Sequence, residues 1–133
     1  MLRHSPFRPL CAGAMLALAP AGAAGAGGSA PALTVAEVVT FRLADGVTEA
    51  AFRAAAAATV PLAAGQPGFV ARTLSRGDDG RWTDHVLWAD RAAAEAAAAT
   101  VMADPVAAPF IAAIDMDSVV MRHETVLPLA PRP

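Results

Sequence analysis

Hydrophobic and polar residues alternate along four short segments of the chain, and two alanine-rich stretches lie between these segments. The alternating segments are 34–43, 69–75, 81–88 and 118–126, where Val, Thr, Phe and Trp recur at every second position, as in β-strands. The alanine-rich stretches, 49–64 and 91–114, have the composition of helices. The predicted order is therefore strand, helix, strand, strand, helix, strand.

Capping and breaking residues delimit the two helical stretches. Thr48 precedes the first stretch and Asp90 precedes the second, and both residue types are preferred at helix N-caps. Pro61 is expected to kink or divide the first helix. The pair Asp104-Pro105 interrupts the second, so a separate helical piece is expected to run to about residue 114.

The element order predicts a fold class. With right-handed crossovers and a hairpin at 76–80, it gives an α+β, ferredoxin-like fold with an antiparallel sheet of strand order 4-1-3-2 and both helices on one face. A set of apolar strand residues is expected on the opposite, uncovered face. An uncovered apolar face predicts a homodimer that packs two sheets together as a dimeric α/β barrel. The set is Val39, Phe41, Trp82, Val86, Trp88 and Met121.

The beginning of the chain has the pattern of a secretory signal peptide. Arg3 and Arg8 occur there without an acid, an apolar run follows at 10–19, and the small-residue runs 21–23 and 24–26 offer cleavage sites. A disordered leader rich in Ala and Gly is the alternative interpretation. We predict a cleaved signal peptide over 1–26, a linker over 27–33, one domain over 34–126 and a proline-rich tail over 127–133. The apolar run is too short to span a membrane, so the mature protein is expected to be periplasmic or secreted, with no membrane span.

Composition restricts the chemistry of the mature chain. Cleavage removes Arg3, Arg8 and Cys11, which leaves eight arginines against 12 acidic residues and a net charge of −4. Such a chain offers no basic surface for nucleic acid. It has no cysteine, and the whole sequence lacks Lys, Tyr and Asn. A thiolate nucleophile, a lysine Schiff base and a phenol-dependent mechanism are therefore excluded.

Polar residues inside the apolar strands are the candidates for chemistry. Because the first strand lies between the third and the fourth, Glu37 is expected to have Asp84 on one side and His123 on the other. A histidine beside a carboxylate is suited to proton transfer near neutral pH. We predict that His123 transfers protons, with Glu37 and Asp84 as orienting partners. The alternative interpretation is that these residues form a structural polar network, which fixes the sheet register.

The facing of the fourth strand decides which residues reach the pocket. If that strand is turned over, Arg122 and Glu124 face the pocket and His123 faces the helices. His123 is favoured inside the pocket, because Arg122 and Glu124 fit poorly against an apolar helix layer. His85 is out of phase with Asp84 and is expected on the helix side or near a strand edge.

Apolar and aromatic side chains beside these polar residues predict the ligand. A flat apolar or aromatic molecule is expected, in contact with Trp82, Trp88, Phe41, Val39 and Met121. Glu37, Asp84 and His123 are acceptable metal ligands by type. Their spacing does not require a metal, so no cofactor is predicted.

Several stretches of the chain carry a resemblance to a known family. They are 35–41 with Gly46-Val47, then 66–69, 82–88, 114–115 and 119–123. Together they resemble the dimeric α/β-barrel superfamily and, more narrowly, the antibiotic-biosynthesis-monooxygenase-like group. The resemblance implies a homodimer. Members of the superfamily include cofactor-free oxygenases, haem-degrading enzymes and isomerases.

Two departures from this family bear on the implied chemistry. Haem-degrading relatives share an Asn, a Trp and a helical His, but this chain has no Asn, and 91–114 contains no His. Haem is therefore not expected as the cofactor. Quinol-type oxygenases use Tyr and Asn, which are also absent. Three functions remain open: a monooxygenase-like or isomerase-like enzyme, a non-catalytic ligand-binding barrel of the cell envelope, and a stress-related dimer.

Overall fold

The computed structural model describes residues 34–129. Four antiparallel strands form one sheet in the order β2-β3-β1-β4. The predicted α+β, ferredoxin-like fold and its strand order 4-1-3-2 are confirmed. The predicted signal peptide and linker, and residues 130–133 of the predicted tail, lie outside the described residues. The elements are β1 (Val35–Leu43), α1 (Glu49–Ala58), α2 (Val60–Ala64), β2 (Phe69–Arg76), β3 (Trp82–Trp88), α3 (Arg91–Ala103), a 3-10 turn (Pro105–Ala107), α4 (Ala108–Ala112) and β4 (Ile114–Thr125).

The helices begin at the capping residues that the sequence indicates. The Thr48 side chain accepts a hydrogen bond from the amide of Ala51 at 3.1 Å, and Asp90 accepts one from the amide of Ala93 at 2.8 Å. Pro61 lies in the first turn of α2, where its missing N–H is not needed. The predicted division of the first helix therefore occurs between α1 and α2. In the part of the chain described, no helix is long and apolar enough to cross a membrane.

Strand β4 is longer than the alternation predicts. It begins at Ile114 instead of 118, and the preceding helical piece ends at Ala112. The pairing with β1 shifts between Thr40 and Arg42, so that Arg42 pairs with Asp115. The amide of Arg42 donates to Ser118 Oγ at 2.7 Å. A bulge interrupts the alternation of faces, which explains why the pattern shows only the second half of this strand.

The apolar strand residues face the helices and not away from them. Phe41 and Trp82 pack with α1 through Phe52, and Val86 and Trp88 pack with alanines of α3. The expectation of an uncovered apolar face is therefore wrong. Helices and sheet bury their apolar faces against each other, and the small alanine side chains let α3 lie close to the sheet. The six residues that were expected on the uncovered face are Val39, Phe41, Trp82, Val86, Trp88 and Met121.

The opposite, outer face of the sheet has a mixed character. Val38 is buried there, whereas Val120 is 52% exposed. Arg122 and Glu124 form an ion pair at 2.6 Å on the same face. His85 pairs in register with Val38, so it lies on the outer face and not on the helix side. The outer face therefore combines apolar and charged residues.

Gly68 fixes the start of β2 against α3. Its φ is +81°, and a Cβ added to it would lie 2.6 Å from the Cβ of Ala93. Its carbonyl accepts a hydrogen bond from the amide of Ala89 at 2.7 Å. Glycine is therefore required both for the backbone conformation and for the close approach of the helix.

Candidate active site

A cavity of about 370 Å³ lies between the sheet and the helices. Most of its wall is apolar, but Glu37, Arg72, Asp84 and Thr59 also contribute to it. Strand residues two apart share a face, so positions 37, 39 and 41 of β1 and positions 84, 86 and 88 of β3 reach the cavity together. The candidate site is thus under the helices and not at an intermolecular sheet face.

Four of the five predicted substrate contacts line this cavity. They are Val39, Phe41, Trp88 and Met121. Trp82 does not line it. Its ring packs in the core on Phe52, with ring centroids 4.8 Å apart.

Exposure changes along the cavity from one side of the sheet to the other. Met121, on the edge strand β4, is 54% exposed. The side chains of Glu37 on β1 and Asp84 on β3 are 12% and 9% exposed, and that of Arg72 on β2 is 14% exposed. The cavity therefore opens beside β4, and its deep end lies at β3 and β2.

Glu37 and His123 form a hydrogen-bonded pair at the cavity wall. They are direct neighbours in the β1–β4 register, and His123 Nε2 lies 3.2 Å from Glu37 Oε2. The side chain of His123 is 11% exposed. The imidazole does not itself line the cavity, so it contacts the cavity through the Glu37 carboxylate.

Asp84 pairs with Arg72 and not with His123. Arg72 Nε donates to Asp84 Oδ1 at 2.9 Å, and Nη2 donates to Oδ2 at 2.6 Å, which makes a bidentate ion pair. Nη1 donates to the Thr59 hydroxyl at 2.8 Å, and the guanidinium lies 5.4 Å from the centre of the Phe110 ring. Asp84 is opposite Val39 and not Glu37 in the register, so the expectation that Asp84 directly flanks Glu37 is wrong.

Sequence reasoning missed Arg72 as a component of the site. Pairing outward from the hairpin at 76–80 brings Leu74 opposite Asp84 and Arg72 opposite Val86. Arg72 is therefore diagonal to Asp84 on the same face, within reach of a long side chain. The length of the hairpin turn determines which residues of β2 and β3 lie opposite each other, so it could have identified this ion pair.

The environment of Glu37 changes its affinity for a proton. Burial raises the pKa of Glu37 above its ordinary range, and the charge of Asp84 adds to the rise. The hydrogen bond and charge of His123, together with the charge of Arg72, lower the pKa without cancelling the rise. Glu37 is thus better suited to accept and return a proton near neutral pH than an ordinary carboxylate is.

Glu37→Gln is expected to change how stability depends on pH. The folded-state pKa of Glu37 is raised, so its contribution to stability is present below the unfolded-state pKa and is lost as pH rises through the folded-state pKa. The free energy of unfolding of wild type minus that of Glu37→Gln should therefore fall as pH rises above the ordinary glutamate range. Urea unfolding at several pH values measures this difference, with Glu124→Gln on the outer face as the matched control. A difference that does not vary with pH would contradict the raised pKa.

Trp88 is a natural reporter of the cavity. It lines the cavity, is 3% exposed, and meets Phe69 edge-on with ring centroids 5.7 Å apart. Its buried Nε1 has no hydrogen-bond partner among residues 34–129. The chain has two tryptophans, and Trp82 is in the core. A ligand-dependent change in tryptophan fluorescence would therefore arise mainly from Trp88.

The three residues that are acceptable metal ligands by type separate into two pairs. Glu37 is bonded to His123, and Asp84 is bonded to Arg72. Within the described part of the chain, no group of three or more His, Cys, Asp or Glu side chains could hold a metal ion.

Comparison with known proteins places this fold. Neither a protein-family model nor a curated protein sequence matches the chain. SnoaB from Streptomyces nogalater, a cofactor-independent oxygenase, matches at 27% identity and a TM-score of 0.53, over 77% of this chain and 99% of SnoaB. A candidate antibiotic biosynthesis monooxygenase from Bordetella bronchiseptica matches at 18% identity and a TM-score of 0.63, over 71% and 98% of the two chains. Another from Nitrosomonas europaea matches at 13% identity and a TM-score of 0.59, over 75% and 96%.

These neighbours confirm the family resemblance seen in the sequence. The chain has the ferredoxin-like fold of proteins in the antibiotic-biosynthesis-monooxygenase-like group. The match extends over nearly the whole length of each neighbour. SnoaB shows that this fold supports oxygenase chemistry without a cofactor.

Proposed function

We propose that the protein is a cofactor-free, monooxygenase-like enzyme that acts on a flat, apolar or aromatic molecule bound between the sheet and the helices. The observation that carries this proposal is the Glu37–His123 pair, 3.2 Å apart, at the wall of an otherwise largely apolar cavity. The likeness to SnoaB supports the oxygenase direction.

The site supplies proton transfer in a nearly dry environment. The Glu37 carboxylate takes a proton from a weakly acidic O–H or C–H group of the bound ring system, and His123 holds the carboxylate in place and stabilises its charge. A deprotonated aromatic molecule is electron-rich and can itself transfer electrons to dioxygen. The apolar wall keeps water away from the resulting anion. Isomerisation requires the same proton transfer without dioxygen, so oxygen consumption distinguishes the two reactions.

A cavity-filling variant tests whether the cavity is the binding site. Ala98 is half-buried on α3 and lines the cavity, whereas Ala96 on the same helix is exposed. Titration with 9,10-anthraquinone should quench Trp88 fluorescence saturably in wild type. Ala98→Leu should weaken this binding by about tenfold or more because the added side chain occupies ligand space. Ala96→Leu is the matched control and should bind as wild type does.

The outcomes separate the candidate functions. Consumption of oxygen with anthrone, an oxidisable ring system of the same shape, would support the oxygenase proposal. Saturable binding without turnover of any bound compound would favour the non-catalytic ligand-binding barrel. No saturable binding by wild type would refute the proposal.

The homodimer stays a prediction, on the same uncovered face of the sheet but through other residues. Of the residues first expected to pack between two sheets, all but Met121 pack in the core beneath the helices. We propose that the outer face makes the contact, with Val38 and Val120 as apolar members and the Arg122–Glu124 pair as the polar one. This arrangement leaves each cavity within one subunit. Light scattering at micromolar concentration should give twice the chain mass, and a stable monomer would contradict it.

A further inference from the structure

The methionines within residues 34–129 all lie at one place. Met102 belongs to α3, and Met116 and Met121 belong to β4, yet all three line the same cavity. They are also 58%, 55% and 54% exposed. The two other methionines of the chain precede residue 34. Side chains that line a cavity and are more than half exposed border its opening, so methionines from two elements form the entrance.

The entrance lies next to the groups proposed to do chemistry. Met121 is opposite Val39 in the β1–β4 register, and His123, the next residue on the same face of β4, is opposite Glu37. The Arg72–Asp84 pair is farther away, on β2 and β3. A ligand that enters beside β4 therefore passes the methionines before it reaches Glu37.

The exposure of strand β4 alone does not explain why methionine occupies these positions. Exposed residues of the strand that do not line the cavity are mostly charged, namely Asp117, Arg122 and Glu124. Single exposed apolar side chains are common on proteins. Three exposed residues of one type, from two elements, that line the same cavity are more than scattered surface residues, and exposed apolar groups at a cavity favour ligand binding.

We propose that Met102, Met116 and Met121 are specificity-determining residues, which form an adaptable entrance for flat aromatic ring systems of different widths. The inference rests on the proposed function, in that it takes the cavity to be the ligand-binding site. Methionine is unbranched and has three rotatable side-chain bonds, so it adjusts its shape to the ligand. Its polarizable sulfur makes favourable contacts with the edges of aromatic rings. Leucine has a similar volume but is branched and lacks the sulfur.

A variant with all three methionines replaced by leucine tests the proposal. The probes are 1,4-naphthoquinone, with two rings, and 9,10-anthraquinone, with three, and the measurement is quenching of Trp88 fluorescence. Wild type should bind both probes. The triple leucine variant should bind the two-ring probe within about twofold of wild type and the three-ring probe about tenfold more weakly, because the wider ring needs the adjustable side chains.

Two further variants make the test specific. A triple methionine-to-glutamine variant keeps unbranched side chains but makes the entrance polar, so it should weaken the binding of both probes. Val60→Leu, at an exposed apolar position outside the cavity, is the control and should bind as wild type does. Circular dichroism checks that each variant is folded, and Met102→Leu and Met121→Leu, made singly, serve if the triple variant is not.

The possible results distinguish this inference from the function on which it rests. If the triple leucine variant binds both probes as wild type does, the methionines do not determine specificity and the inference is wrong. If wild type binds neither probe, the proposed binding function itself is wrong. A selective loss of the three-ring probe would support both.

Discussion

Arg72→Met is expected to lower the free energy of unfolding by about 3–5 kcal/mol, because it leaves a buried carboxylate without its partner. Arg72 makes three hydrogen bonds to Asp84, at 2.9, 3.2 and 2.6 Å, and a fourth to the Thr59 hydroxyl at 2.8 Å. The two ion-pair side chains are only 14% and 9% exposed. Methionine retains the aliphatic length of arginine, so the lost charge and not lost volume dominates the effect. Urea unfolding at neutral pH measures it.

Two controls identify the cause of that loss. Arg76→Met removes an exposed arginine that lies 3.6 Å from Glu49, and exposed ion pairs contribute about 0–1 kcal/mol. The double variant Arg72→Met/Asp84→Leu removes both charges together and should regain most of the stability, since apolar replacement of a buried pair is often neutral. If the double variant is no more stable than Arg72→Met, the uncompensated Asp84 charge is not the cause.

His123→Ala is expected to lower turnover by about tenfold to a hundredfold, part of the contribution of a positioned base, because Glu37 loses the hydrogen bond that holds its carboxylate in place. His123 is the direct hydrogen-bond partner of Glu37. Since the imidazole does not line the cavity, ligand affinity should change less than turnover does. Oxygen consumption and Trp88 quenching measure the two quantities separately. If the protein only binds its ligand, the loss should appear in affinity instead.

Stability must be measured alongside this effect. Removal of one partner from a buried hydrogen-bonded pair costs about 1–3 kcal/mol, so circular dichroism and unfolding establish that the variant is folded. His85→Ala on the outer face is the matched control and should keep turnover. Glu37→Gln removes the proposed base and should lower turnover at least as much as His123→Ala does. A His123→Ala protein that reacts like wild type would show that the histidine is structural.

Local features of the sequence predicted most of the fold. Thr48, Pro61 and Asp90 determine helix boundaries through contacts within a few residues, so their effects are visible without the tertiary structure. The start of β4 was missed because β4 has a bulge opposite the segment between Thr40 and Arg42. The bulge interrupts the alternation of faces along β4. Periodicity also shows which residues share a face of a strand but not which face the helices cover. The expected placement of the apolar face failed for that reason.

The candidate site was predictable to the extent that strand order determines it. With β4 beside β1, a period of two brings Glu37 and His123 together. Arg72 depends on a diagonal contact and on side-chain length, which the alternation of strands does not encode. Trp82 and Trp88 share a face, but Phe52 of α1 occupies the position over Trp82. Only the placement of the helices separates the core tryptophan from the one that lines the cavity.

Gly68 limits how this sequence can change over evolution. Any side chain there meets Ala93 and also requires a left-handed backbone. Ala93→Gly would remove the steric conflict but would leave the backbone strain. No single compensating change therefore allows another residue at position 68. Gly46 also has a positive φ, +79°, but a Cβ there meets nothing within 4 Å, so Asn is an acceptable replacement. In a library randomised at both positions, position 46 should recover Asn as well as Gly, while position 68 should recover glycine alone.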